Sequence, residues 1–234
     1  MIQAIFFDFN GVIIDDERLQ MAVYQEVLKP HGITLTEEQY FSALGMDDRT
    51  FVRATFERAA THLSETTLRA VLEAKTKSHR KFMEHELPLF PGVVTFLKAT
   101  SRHYALGLVS MADLEEISYV IDRARLRPLF SVIVSADEVK VCKPAADCYQ
   151  CALDQLNEKR RDLRLLPLLA KECVAIEDSP AGIQSARAAG MRTLGVTNTV
   201  SESELRSAGA DVVTPSLADW TPAAVKHVFE EIRD

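Results

Sequence analysis

The sequence predicts an α/β protein in which a parallel β-sheet carries an inserted all-helical segment. Three observations lead to this prediction: an N-terminal apolar run that ends abruptly in polar residues, a long block with helical periodicity, and a renewed alternation of strand and helix patterns. Such alternation is typical of a parallel sheet covered by helices on both faces. The 234 residues would accommodate one medium domain and a small companion.

The first predicted strand spans residues 2–7 and stops at the polar stretch DFNG. A short, continuous apolar run of strand-forming residues is typical of a strand that is buried on both faces. We therefore expect this strand to lie in the interior of a parallel sheet.

The helical block extends from about residue 16 to residue 85 and contains almost no Gly or Pro. Pro30-His31-Gly32 ends its first helix, and residues 45–49 form a later turn in which Asp47 or Asp48 is available as an N-cap. The basic run KTKSHRKF at residues 75–82 is interpreted mainly as a solvated helix face that can also attract anions.

Five further strands are predicted after this block, at residues 105–109, 132–135, 173–176, 192–196 and 211–213. The helical block thus interrupts the sheet domain, with hinges at residues 15–16 and 86–90. We expect an α/β core domain of residues 1–15 and 87–234 and a helical domain of residues 16–86.

Composition narrows the possible partners. The chain has 27 basic and 34 acidic residues, and this net charge of -7 argues against nucleic-acid binding. No apolar run is long enough to span a bilayer, and four cysteines are too few for a disulfide scaffold. Cys148 and Cys151 form a CxxC without a matching second pair, so we expect them to pack in the core. The expected protein is cytoplasmic and binds no membrane.

Polar residues directly follow several of the predicted strands or stand in the loops after them. In chain order they are Asp8, Asn10, Ser110, Lys143, Glu177 and Asp178. Ligands of open α/β sheets bind outside the carboxyl ends of the strands, so these side chains are expected to converge. Carboxylates, a hydroxyl and an ammonium group together suit an anionic group and a hard cation.

Taken together, the segments FFDFNGVIIDDE, VSMAD, EVKVCKPAADCY and AIEDSPAGIQSARAAGM resemble the haloacid dehalogenase superfamily of phosphohydrolases. The resemblance covers essentially the whole chain. The helical insertion after the first motif resembles the helical cap of the β-phosphoglucomutase and phosphoglycolate phosphatase group. The resemblance therefore implies a Rossmann-like core with an all-helical cap domain.

The resemblance also implies a mechanism. Asp8 would be the nucleophile that attacks a phosphoryl group and forms an aspartyl-phosphate, which water then hydrolyses. Mg2+ would be bound by Asp8, the backbone carbonyl of Asn10 and Asp178, with Glu177 supporting the metal.

The same resemblance implies further binding residues. Ser110 and Met111 would bind phosphate oxygens, and Lys143 would bind phosphate and offset charge on Asp8. In the cap, Arg49 is our candidate for gripping a distal anionic group of the substrate.

Asn10 departs from the family pattern, which has an aspartate here as general acid and base. An amide has no titratable proton near neutrality, and the loss of general acid–base help typically costs about 10² to 10⁴ in rate. Four interpretations stay open: a slow phosphatase aided by another acid, for which Asp15, Asp16 and Glu17 are nearest in sequence; a non-catalytic phosphate-binding relative; substrates whose leaving group needs no protonation; and a replacement introduced to stop turnover.

The function expected from the sequence is a magnesium-dependent phosphohydrolase that acts on a small phosphorylated metabolite, such as a sugar phosphate. A β-phosphoglucomutase-like phosphomutase is the alternative enzyme, and it would suffer more from Asn10 because it must move protons in both half-reactions. A non-catalytic phosphate-binding relative is the alternative outside enzymes. We expect a monomer or a weak dimer.

Overall fold

The computed structural model describes residues 1–231 and confirms the predicted α/β fold with a Rossmann-like parallel sheet. The six strands are β1 (Ala4–Phe7), β2 (Ala105–Val109), β3 (Val132–Val134), β4 (Cys173–Glu177), β5 (Arg192–Val196) and β6 (Val212–Thr214). All pairings are parallel, and the strand order is β3-β2-β1-β4-β5-β6. Every predicted strand has a counterpart in this sheet.

Strand ends differ from the predictions where polar side chains compete for backbone groups. Ser135, predicted to end β3, instead accepts a hydrogen bond from the Asp137 backbone N–H and starts a 3₁₀ turn. Asp211, predicted to start β6, accepts from the Thr193 backbone N–H at 2.7 Å. Glu177 extends β4 by one residue, although an apolar pattern would not include a carboxylate.

Ten α-helices are formed within the described residues. They are α1 (Glu17–Leu28), α2 (Glu37–Phe41), α3 (Asp48–Arg58), α4 (Glu65–His85), α5 (Val93–Thr100), α6 (Leu114–Arg123), α7 (Asp147–Asp162), α8 (Pro180–Ala188), α9 (Glu202–Ser207) and α10 (Pro222–Glu231). Of the two predicted N-cap candidates, Asp47 caps α3 by accepting a hydrogen bond from the Thr50 N–H, and Asp48 is the first residue of the helix. None of the described helices is long and apolar enough to cross a membrane.

We call residues 16–86, which contain α1 to α4, the insertion. It has a hydrophobic cluster of its own, in which the rings of Tyr24 and Phe51 lie 4.5 Å apart. The two chain segments that join it to the sheet domain lie side by side, because Asp15 N donates to Pro88 O at 2.7 Å. A backbone hydrogen bond thus ties together the two chain segments that enter and leave the insertion.

The interpretation of residues 75–82 as mainly a solvated helix face is wrong for two of its members. Lys75 and His79 are only 1% and 3% exposed, respectively, while Lys77 between them is exposed. Helical spacing of four residues places both on the inner face of α4, where they meet acidic partners. In α7, Cys148 is buried against the sheet and Cys151 is partly buried against it, which agrees with core packing.

The sheet register brings the predicted site residues to one edge. Phe7 at the end of β1 pairs with Leu108 of β2 and with Ile176 of β4. Asp8, Ser110 and Glu177 therefore end three adjacent strands at nearly the same level, at the carboxyl edge where open α/β sheets bind ligands.

Candidate active site

A cavity lies between the carboxyl edge of the sheet and the insertion. Of the residues predicted for the site, Asp8, Asn10, Ser110, Met111, Lys143 and Asp178 line it. Glu177 lies directly behind, bonded to Lys143. Arg49 is not among the lining residues, so its contact with substrate stays a prediction.

Three carboxylates form the centre of the site. One oxygen from each of Asp8, Glu177 and Asp178 lies within 4.8 Å of the other two. Burial, reinforced by the charge of Asp8, raises the pKa of Glu177 and of Asp178 well above the ordinary range. Glu177 Oε2 and Asp178 Oδ2 are buried and have no hydrogen-bond partner among the described residues. Buried carboxylate oxygens without donors are a suitable ligand set for a hard cation.

Two glycines make room for these carboxylates. A Cβ at Gly11, where φ is +71°, would lie 1.8 Å from Asp178 Oδ2. A Cβ at Gly182, at the start of α8, would lie 1.8 Å from Glu177 Oε2. Any larger residue at either position would displace a carboxylate, which explains glycine in the first and last of the four motifs.

Lys143 joins two of the carboxylates. Its Nζ lies 3.1 Å from Asp8 Oδ1 and 2.6 Å from Glu177 Oε1. Burial opposes the charge of Lys143, but Asp8 and Glu177 outweigh burial and raise its pKa. Tyr149, which sequence analysis missed, donates its hydroxyl to Glu177 Oε1 at 2.5 Å. Its spacing of three and seven residues from Ala152 and Leu156, which are also buried, predicts burial but not this contact.

The side-chain amide of Asn10 has a hydrogen-bond partner. Its Nδ2 donates to both oxygens of Asp16, at 2.9 and 3.0 Å. Asp16 Oδ2 also lies 2.8 Å from His79 Nε2 and accepts from Gln20 Nε2 at 3.3 Å. Both oxygens of the buried Asp16 carboxylate therefore have hydrogen-bond partners, and the carboxylate orients the Asn10 amide.

The insertion contributes a second set of polar residues to the cavity wall. Lys75 Nζ lies 2.8 Å from Asp48 of α3 and 2.8 Å from Glu116 of α6, so it links the insertion to the sheet domain. Tyr24 donates to Asp48 at 2.5 Å, and Tyr40 donates to Glu17 at 2.7 Å. Sequence analysis gave Lys75 and Asp48 other roles and missed Glu116, Tyr24 and Tyr40, because only the tertiary structure brings these residues together.

The fold and the acidic strand-end site define a hydrolase of the Rossmann-like α/β class. The chain matches the haloacid dehalogenase-like hydrolase family over residues 5–196 and belongs to that family. Its predicted family, fold and enzyme class, a haloacid dehalogenase-type phosphatase, are confirmed by this match and by the relatives below.

The chain is 27% identical to the phosphorylated carbohydrates phosphatase of Thermotoga maritima, over 99% of this chain and 100% of the relative. It is 27% identical to fructose-1-phosphate phosphatase of Escherichia coli, over 82% of this chain and 95% of the relative. The β-phosphoglucomutase structure from Clostridium difficile superposes with a TM-score of 0.85 at 21% identity, over 99% and 98% of the two chains.

A longer relative is SUPPRESSOR OF QUENCHING 1, a chloroplastic protein of Arabidopsis thaliana. The chain is 26% identical to it over 93% of its own residues but spans only 20% of that protein's length.

Proposed function

We propose that this chain is a magnesium-dependent phosphohydrolase that acts on a small phosphorylated metabolite, of the sugar-phosphate kind, through an aspartyl-phosphate on Asp8. The observation that carries the proposal is the buried cluster of Asp8, Glu177 and Asp178 with Lys143 beside it, at the floor of a cavity. The names of the carbohydrate phosphatase relatives support the substrate class.

Asp8 is held in a fixed orientation for nucleophilic attack. Its Oδ1 accepts a hydrogen bond from the Phe9 N–H at 2.7 Å and lies 3.1 Å from Lys143 Nζ. Both donors fix the position of this oxygen, and Lys143 also provides positive charge for an entering phosphoryl group. The Ser110 hydroxyl lines the same cavity and would bind a phosphate oxygen, with Met111 beside it.

A divalent cation fits this donor set, because the two orphaned carboxylate oxygens and Asp8 are hard ligands. We infer that Asp8, Asp178 and the backbone carbonyl of Asn10 hold magnesium, with Glu177 in support. When bound, magnesium would neutralise the negative charge that otherwise repels a phosphate ester.

The insertion is proposed to be a cap domain of residues 16–86 on a core of residues 1–15 and 87–234. Its residues close one side of the cavity, and closure over substrate would exclude bulk water. Arg49 is retained as a proposed contact for a distal anionic group of the substrate.

The test is a panel of sugar phosphates and aryl phosphates assayed with magnesium for the parent chain and for Asp8→Asn. We expect slow turnover by the parent, loss of at least about 10³-fold in Asp8→Asn, and a phosphorylated Asp8 peptide trapped by rapid acid quench. Release of phosphate from no ester, together with unchanged phosphate binding in Asp8→Asn, would refute the site. Binding of phosphate and magnesium without turnover would instead indicate the non-catalytic relative.

Conversion of a sugar 1-phosphate into its 6-phosphate isomer would indicate a phosphomutase. The β-phosphoglucomutase likeness at 21% identity concerns the fold alone. Asn10 cannot move protons to and from sugar hydroxyls, and hydrolysis is therefore the favoured reaction.

A further inference from the structure

Three acidic residues follow the first motif, and the structure separates them. Asp15 is exposed and does not line the cavity. Asp16 is buried outside the cavity lining, with both oxygens accepting hydrogen bonds from Asn10. Glu17 lines the cavity that also contains Asp8. Of these three residues, Glu17 alone therefore presents a carboxyl group to the cavity in which a substrate would be bound at Asp8.

Glu17 and Asp8 reach the cavity from different parts of the chain. Asp8 follows β1 of the sheet domain, whereas Glu17 is the first residue of α1 in the insertion. Tyr40 of α2 donates to Glu17 Oε2 at 2.7 Å and so fixes the side chain. No described residue donates a hydrogen bond to Oε1, which leaves that oxygen for a ligand in the cavity. In-line transfer places the leaving oxygen on the far side of phosphorus from the nucleophile.

The surroundings of Glu17 favour its protonated form. Burial, followed by the charge of Asp16, raises the pKa of Glu17 to about 8, and the Tyr40 hydrogen bond opposes this rise. The titratable and charged groups that face it are Asp8, Asp16, Tyr40, Lys75 and Asp178. A carboxylic acid that keeps its proton near neutral pH can donate it, whereas Asn10 has none to donate.

We propose that Glu17 is a catalytic residue that protonates the leaving oxygen in place of the aspartate missing at position 10. This inference rests on the proposed function. One oxygen of Asp8 bonds to phosphorus as the bond from phosphorus to the ester oxygen breaks. The Glu17 proton passes to the ester oxygen, so that a neutral alcohol leaves. Water then attacks phosphorus and transfers a proton to the Glu17 carboxylate, and the bond from phosphorus to Asp8 breaks. Inorganic phosphate is released and both side chains are restored.

The test compares two esters that differ in their need for an acid. A sugar phosphate releases a basic alkoxide, whereas p-nitrophenyl phosphate releases a phenolate that is stable without protonation. We expect Glu17→Gln to lower kcat by about 10² or more for the sugar phosphate and by less than about threefold for the aryl ester. The glutamine carbonyl still accepts from Tyr40. The matched control is Glu26→Gln, an exposed position on the same helix, and it should change neither rate.

The pH profile supplies a second readout. For the sugar phosphate, kcat should fall as pH rises through the pKa of Glu17, and Glu17→Gln should remove this alkaline limb. In an Asn10→Asp background the introduced aspartate can act as the acid. There, Glu17→Gln should cost less than about tenfold.

Three results would overturn the proposal. Equal losses on both esters would make Glu17 a substrate-binding or structural residue. An unchanged rate on the sugar phosphate in Glu17→Gln would show that Glu17 transfers no proton. The same conclusion would follow if Glu17→Gln lowered the rate as much in the Asn10→Asp background as in the parent. Inactivity of the parent on both esters would refute the proposed function itself. This outcome differs from failure of the Glu17 proposal alone, because Asp8→Asn would then change nothing.

Discussion

The side-chain amide of Asn10 donates to both carboxylate oxygens of Asp16, at 2.9 and 3.0 Å. A carboxylate only accepts hydrogen bonds, so the nitrogen of the amide must face Asp16 and its Oδ1 must face away. A carboxylate thus lies next to position 10, but it holds the amide in place and is itself held by His79. Asn10 is integrated into a buried network, which shows that the fold accommodates an amide at this position.

Asn10→Asp is predicted to create an unfavourable pair of carboxylates. The new side chain would face Asp16 without a donor between them, so one of the two would have to keep a proton. We expect the free energy of unfolding to fall by about 1–3 kcal/mol at about pH 8 relative to the parent, and by less at about pH 5. Urea denaturation at both pH values measures this. The exchanged pair Asn10→Asp with Asp16→Asn should regain most of the loss, and failure to do so would contradict the assigned contact.

Lys143 is predicted to be essential for stability as well as activity. Lys143→Met would leave Asp8 and Glu177 without their shared cation in a buried site, at a cost of about 3–5 kcal/mol. The pKa of Lys143 is raised, so the stability that depends on its own charge should be lost only in the strongly alkaline range. Denaturant unfolding tests this against Lys140→Met, an exposed neighbour expected to change stability by less than about 0.5 kcal/mol. Equal effects of the two changes would exclude a central role for Lys143.

The metal-free protein is predicted to lose stability as pH rises from about 5 to about 8. Glu177 and Asp178 have raised pKa values, so the folded state retains protons that the unfolded state releases above roughly pH 4. Bound magnesium would compensate the same charges, so it should stabilise the folded protein more at high pH. The free energy of unfolding should rise by about 2.7 kcal/mol when the magnesium concentration is a hundredfold above its Kd.

Thermal unfolding with magnesium and with a chelator, at several pH values, checks this expectation. Asp178→Asn should abolish the magnesium-dependent shift, whereas Asp162→Asn, an exposed acid in the last turn of α7, should leave it intact. A shift that survives in Asp178→Asn would place the cation elsewhere.

Lys75 is predicted to fasten the insertion to the sheet domain. It is buried between Asp48 of the insertion and Glu116 of α6, and Lys75→Met would leave both carboxylates without their shared cation. We expect a loss of about 3–5 kcal/mol and faster proteolysis within residues 16–86.

Lys77→Met is the control, because Lys77 lies two residues away on the exposed side of α4. Adding Glu116→Gln to Lys75→Met should recover part of the stability, since one buried charge is then removed. A control variant as unstable as Lys75→Met would show that α4 tolerates no substitution here and would contradict a specific ion pair.

Much of the fold could be predicted because its signals are local. Apolar runs identify all six strands, and the helical periodicity of residues 16–85 predicts the helical content of the insertion. The strand ends are predicted less accurately, because Asp211 and Ser135 make side-chain hydrogen bonds and are not part of the strands. Local patterns carry no information on such competition between backbone and side chain.

The residues of the candidate site likewise include some that the sequence predicts and some that it does not. Asp8, Asn10, Ser110, Lys143, Glu177 and Asp178 were predicted together because parallel strands carry their last residues to one edge. Lys75 and His79 were assigned to a mainly solvated face, since four-residue spacing gives the face of a helix but not what covers it.

The sequence by itself determined the family, the α/β class and the loops that carry the chemistry, because each of these depends on residues that are adjacent or periodic along the chain. Only the tertiary structure decided which member of the acidic stretch Asp15, Asp16 and Glu17 faces the cavity, and which is tied to Asn10. The reason is physical: burial and charge come from packing partners that lie far apart in sequence, such as Tyr40 beside Glu17 and His79 beside Asp16. Burial and the nearby charge of Asp16 raise the pKa of Glu17, and both arise from packing that the sequence alone does not show.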